Sequence, residues 1–139
     1  MQKITGTKVR TPEMMRKYYE VSNERKAAKS KGEFIPHPFA NILNKNIISF
    51  NYWVIINNDF PYDAIANVSH MILPKRKFSF DWKLMNAVER AELDQLKQTG
   101  YISKNYDVIW ENLPIGQTIP GRFHLHLLKL KRYEIKKES

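Results

Sequence analysis

From Arg122 to Leu128 the chain alternates polar and apolar side chains. Arg122, His124 and His126 share one parity, and Phe123, Leu125 and Leu127 share the other. Successive side chains of a β-strand point to opposite faces. The run therefore predicts a strand with one buried apolar face and one face bearing a guanidinium and two imidazoles. Beyond Leu127 the apolar residues become even-numbered: Leu128 and Leu130 flank Lys129. A period of two cannot change faces without a bulge, a bend or a new environment. The strand is expected to leave the polar face near Leu128. β-Branched and aromatic runs predict further strands at 47–51, 52–56, 68–73 and 106–110.

Two stretches carry helical signals. Thr11-Pro12-Glu13 supplies a capping hydroxyl, a proline suited to the first helical position and an acid near the positive dipole end. A helix is predicted from residue 12 to about 31, stopping at Lys31-Gly32. Its apolar residues Met14, Met15, Tyr18, Tyr19 and Val21 lie only in the first half. The charged half from Glu24 to Lys31 is expected to face solvent. This helix reads as scaffold or oligomer contact, with a homodimer as the assembly considered. A second helix is predicted over 81–99, with Trp82, Met85, Val88, Leu93 and Leu96 inward and Gly100 as its stop. Residues 34–45 are broken by Pro36 and Pro38 and cannot form a central strand. His37, between those prolines, reads as a structural or exposed turn histidine. Few strands are separated by crossover helices, which predicts an α+β fold: an antiparallel sheet with helices packed on one side, plus an N-terminal helix.

At 139 residues, with 42% hydrophobic and 12% aromatic side chains, the chain can bury one core. No run approaches the ~18 apolar residues of a membrane span, so no membrane partner is expected. The N-terminus lacks the apolar segment of a signal peptide. With no cysteine there is neither a disulfide nor a thiolate metal site, and a cytoplasmic, intracellular protein is the simplest reading. The net charge of +9 resides at the ends. Residues 1–33 hold nine Lys/Arg against four Glu, residues 34–121 eight of each sign, and residues 122–139 six against two. Basic ends suit nucleic acid or another polyanion, and they serve equally as solubilising tails.

Two imidazoles and an arginine on one strand face suit a phosphate. A neutral histidine can attack phosphorus and cations can hold its oxygens. The plain alternative is a half-buried strand that happens to carry histidines. Upstream stand Ser69-His70-Met71-Ile72-Leu73-Pro74-Lys75-Arg76, Asn58-Asp59-Phe60-Pro61 and Gln117-Thr118-Ile119-Pro120-Gly121. Taken together with 122–128, these segments resemble the histidine triad (HIT) superfamily of nucleotide hydrolases and transferases. Its members carry a His-x-His-x-His strand preceded by a His-aliphatic-aliphatic-Pro-Lys/Arg strand. The resemblance covers roughly residues 50–131, giving a basic helical extension over 1–33, a HIT-like domain over 34–131 and a basic tail over 132–139. The interval from Pro61 to His70 is longer than the compact members suggest.

In register with the family, Arg122 stands at the first histidine position, His124 at the nucleophile and His126 at the third. The alternative register makes His124 first, His126 nucleophile and Leu128 third. The first is preferred, because arginine can hold phosphate and Leu128 cannot. The resemblance implies that His124 attacks the α-phosphorus of a nucleotide or dinucleotide substrate, forming a covalent nucleotidyl-histidine that water or a second substrate releases. It further implies His126 on a non-bridging oxygen and His70 on the leaving group or a phosphate. Asn58 falls where the family contacts ribose, although Asn57-Asn58-Asp59 reads equally as a polar turn. Gln117 and Thr118 would offer polar groups to the leaving group. Lys75-Arg76-Lys77 reads as a phosphate contact or, more simply, a solvated rim. No cofactor or metal is required, and no carboxylate stands at ligand spacing beside the histidines. The expected function is a nucleotide hydrolase or nucleotidyltransferase. The alternatives are a catalytically degenerate nucleotide-binding module and a member that uses its basic ends to engage nucleic acid.

Overall fold

The computed structural model describes residues 6–32, 46–114 and 121–137. The proline-broken segment 34–45 with His37, and the candidate residues Gln117 and Thr118, lie outside the described residues. The described chain is α+β. Five strands, β1 (Asn46–Ser49), β2 (Trp53–Asn57), β3 (Ala66–Pro74), β4 (Val108–Trp110) and β5 (Leu125–Leu130), form one sheet in the order β1-β2-β3-β5-β4. Every neighbouring pair is antiparallel.

Helix α1 (Pro12–Ser30) begins as its sequence dictates: the Thr11 side chain accepts from the Met14 amide and Pro12 occupies the first turn. It ends before Gly32, whose φ of 76° is a left-handed conformation that glycine adopts without a Cβ clash. The first half docks on the loop after β2. The Tyr18 ring meets Phe60 edge-on at 5.1 Å. The Thr11 amide and hydroxyl donate to the Asp63 carboxylate at 2.9 and 2.7 Å. In the second half Ala28 is buried, so that half is not wholly solvent-facing.

Helices α2 (Ala87–Gln98) and α3 (Tyr101–Asn105) cover one face of the sheet. There Trp53, Ile55, Ile72, Phe123, Leu125 and Leu127 pack with Leu93, Leu96 and Ile102 in the main core. The single helix expected over 81–99 is divided. A short 3-10 turn spans Trp82–Leu84, the backbone becomes extended at Met85 and Asn86, and α2 starts at Ala87. The cause is a capping box: the Asn86 side chain accepts from the Glu89 amide and the Glu89 carboxylate accepts from the Asn86 amide. Restarting there rotates the helix, so Val88, expected inward, is 49% exposed and Glu89 is buried instead. Arg76 donates to that carboxylate at 2.7 Å, which makes this part of the Lys75–Lys77 run a structural contact. Gly100 lets α3 follow at once, since a Cβ there would stand 2.8 Å from the Leu96 Cα.

The opposite face buries Val54, Ile56, Met71 and Leu73. Of the outcomes that the parity shift allowed, the strand takes a new environment, and Leu128 does not change faces. It stays on the histidine side and packs with Tyr62 and Ala66. What changes is the environment, from polar at His124 and His126 to apolar at Leu128, with a register slip in β3 between Ala66 and Val68 opposite. Where β4 gives out, Asp107 takes over the edge of β5. Its amide donates to the Leu128 carbonyl, its carboxylate accepts from the Leu130 amide at 2.8 Å, and Arg132 pairs with it.

Candidate functional site

The alternation from 122 to 128 holds in three dimensions. Phe123, Leu125 and Leu127 enter the main core, and His124 and His126 stand together on the other face, ring centroids 5.4 Å apart. Both imidazoles are nearly closed to solvent, at 3% and 4% exposure. A ligand therefore reaches them only if the surrounding groups move.

A backbone contact fixes the His124 ring. Its Nδ1 lies 2.8 Å from the Arg122 carbonyl oxygen, which can only accept. Nδ1 therefore carries the proton, and in the neutral ring the lone pair falls on Nε2. Burial lowers the pKa below its ordinary value, outweighing the carbonyl contact that raises it, and so favours the neutral form. Phe80 meets the ring edge-on at 5.8 Å.

His126 has the same tautomer, set by a chain of polar contacts. The Trp110 indole N–H donates to the Asn112 side-chain oxygen at 2.7 Å. The Asn112 amide then donates to the Tyr62 hydroxyl at 2.8 Å, and that hydroxyl lies 3.2 Å from His126 Nε2. The phenolic proton finds its acceptor if it goes to Nε2, which leaves the His126 proton on Nδ1. That atom is buried without a hydrogen-bond partner. An orphaned buried donor costs about 1–3 kcal/mol, and an incoming oxygen would relieve that cost. The His126 pKa is pushed down to about 3, first by burial and then by electrostatic coupling to His124 and to the Arg10 cation.

Tyr62 lies flat on His126, centroids 4.6 Å apart, and the Arg10 guanidinium sits 4.8 Å from the Tyr62 ring centre. Arg10 is anchored by its Nε, which donates to the Phe60 carbonyl at 2.8 Å. Arg122 is buried too, but its Nη2 donates to the Pro74 carbonyl at 2.8 Å and its Nε has no partner. Asn58 is buried in a turn, its side-chain oxygen accepting from the Phe60 amide at 3.0 Å while Nδ2 stays unpartnered.

His70 is not brought to this pair. Met71 is the β3 residue opposite His126, and His70 opposes Leu127, so His70 points to the helix-covered face. There its Nδ1 meets the Tyr106 hydroxyl at 2.7 Å. The expectation of a leaving-group contact from His70 therefore fails on strand parity. Sequence reasoning missed Tyr62, Asn112, Trp110 and Arg10, which surround His126 from three separate segments.

Among the described residues no group of three or more His, Asp or Glu is placed to hold a metal ion. None of their helices is long and apolar enough to cross a membrane. The chain matches no family model and no curated protein.

Proposed function

We propose that the protein is a HIT-like nucleotide hydrolase or nucleotidyltransferase with His124 as nucleophile. The supporting observation is the 2.8 Å contact from His124 Nδ1 to the Arg122 carbonyl, which directs the ring's lone pair to Nε2. Nε2 attacks the α-phosphorus. A P–N bond forms as the bond to the leaving oxygen breaks, and the leaving group carries away the electron pair. Water or a second substrate then loses its proton, displaces the histidine and restores the neutral ring. His126 acts differently: its Nε2 is taken by Tyr62, and its orphaned Nδ1–H is the donor for a non-bridging oxygen. This division of roles favours the register with Arg122 first over the one with His126 as nucleophile. Positioning and charge neutralisation supply most of the acceleration, because the transferred group is already anionic.

One observation favours the binding-module reading. The Arg122 guanidinium in the first histidine position spends one nitrogen on the Pro74 carbonyl, so it holds the chain as well as any ligand. Arg122→His separates the two readings, since an enzyme weakened by the arginine gains turnover on that change.

The test is intact-protein mass spectrometry after incubation with a panel of labelled nucleotides. The expected result is an adduct of nucleotide mass that His124→Ala abolishes, with turnover lost by ~10³-fold or more. No adduct and no turnover across the panel would overturn the catalytic reading. Loss in His126→Ala with retention in His124→Ala would move the nucleophile to His126.

A further inference from the structure

A cavity of about 450 Å³ lies beside the start of α1, with Thr7, Lys8, Arg10, Thr11, Met15 and Arg16 in its wall. Three of these side chains are cationic, and among the described residues no acid lines the cavity. Ion pairs among the described residues join Arg76 to Glu89 and Arg132 to Asp107, and neither involves Lys8 or Arg16. Asp63 is the nearby carboxylate, and it is bound by the Thr11 amide and hydroxyl. The exposed end of α1 is not the attraction here, since Thr11 already caps it. The attraction is a concave wall that carries three cationic side chains, with the Asp63 carboxylate beside Arg10. The surplus of positive charge is an arrangement that a bound polyanion stabilises.

Arg10 joins this cavity to the histidines. It lines the cavity, its guanidinium lies 4.8 Å from the Tyr62 ring centre, and Tyr62 stacks on His126 at 4.6 Å. Planar guanidinium groups suit phosphate oxygens, and Lys8 adds a point charge on a long stem.

We infer that the cavity lined by Lys8, Arg10 and Arg16 is an oligophosphate-binding site. Its ligand is a chain of phosphate groups, either free or as the tail of a nucleotide whose first phosphate lies at His124. The nucleotide part rests on the function proposed above, whereas the anion site stands on the three cations and the cavity.

The experiment is calorimetric titration of the full chain with tripolyphosphate, repeated at two salt concentrations. Saturable binding that weakens as salt rises is expected. Lys8→Gln with Arg16→Gln, both at exposed positions, should lower the affinity about tenfold or more, given the usual value of charge-assisted contacts. This titration reads tripolyphosphate binding and involves no turnover, so failure of the catalytic reading does not touch this arm. Absence of saturable binding by the wild type, or equal affinity in the double variant, overturns the site. A non-hydrolysable ATP analogue and AMP then identify the source. Tighter binding of the analogue, with the margin lost in the double variant, assigns the site to a nucleotide tail. Tripolyphosphate binding with no preference between the two nucleotides assigns it to free oligophosphate.

Discussion

The phenol of Tyr62 and the imidazole of His126 are stacked 4.6 Å apart and also joined at their edges, hydroxyl to Nε2, at 3.2 Å. The same pair is thus held by ring contact and by a directed bond. Only the second decides which nitrogen of His126 keeps the proton.

Tyr62→Phe removes that bond and keeps the stack. We expect a stability loss of about 1–2 kcal/mol, the usual cost when a buried hydrogen bond is broken. The tautomer balance of His126 should also change, read from its ring nitrogen chemical shifts. Unaltered shifts would show that the hydroxyl does not set the tautomer.

Acid should destabilise the protein before its carboxylates titrate. Burial lowers the pKa of His70, His124 and His126. The folded chain then binds fewer protons than the unfolded one below the ordinary histidine value of about 6.5, and stability falls as pH drops through that point. Asp63 and Glu89 act lower down. Burial would raise each, but bonds from Thr11 and from Arg76 with Asn86 outweigh it and hold both below the ordinary value. Their contribution is present above the ordinary carboxylate pKa of about 4 and is lost below it. Urea unfolding at pH 7.5, 6 and 5 should therefore show a decline above the carboxylate range, shallower in His126→Gln. A flat profile over that interval would contradict the buried neutral histidines.

The strand carrying the histidines was legible because its period of two is strict from Arg122 to Leu127, and parity alone separates the core from the site. The same logic was silent for His70. Both parities of its strand are largely apolar, Ile72 on one and Met71 with Leu73 on the other, so the pattern does not say which face is which. Pairing with β5 decides it, and pairing is a long-range fact. Val88 misled because apolar spacing was extended across a break that Asn86 creates. Tyr62 and Arg10 were invisible for another reason: they reach His126 from a loop and from the segment before α1, with no periodicity to mark them. The histidine triad resemblance supplied the candidate roles, and the tautomers had to come from geometry.

Glu89→Ala should be among the most damaging single changes away from the histidines. It removes the acceptor for Arg76 and for the Asn86 amide and undoes the α2 cap. A loss of about 2–4 kcal/mol is expected from the cap and the charge-assisted bonds together. Val88→Lys, one residue earlier and 49% exposed, should change stability by less than about 0.5 kcal/mol. Thermal melting of the two variants checks the contrast, and equal losses would put the helix rotation in error.

The basic N-terminal helix offers a separate test of nucleic-acid binding. Lys26, Lys29 and Lys31 are exposed, so replacing them with Gln removes three charges without disturbing packing. If they meet phosphates, wild-type affinity for single-stranded nucleic acid falls steeply with salt, and the triple variant shows a smaller slope. Absence of salt-dependent binding at low ionic strength would leave these lysines as solubilising charge.

Asp107 has a consequence for how copies of the chain meet. β4 is three residues long and leaves the end of β5 open, a place where another molecule could add a strand and begin to aggregate. The Asp107 carboxylate occupies that position by accepting from the Leu130 amide, while Arg132 holds the carboxylate in place. A single side chain thus imitates the next rung of the ladder and ends it with a charge. Colloidal safety at this margin of the sheet depends on one aspartate, in a molecule whose net positive charge is concentrated at its ends.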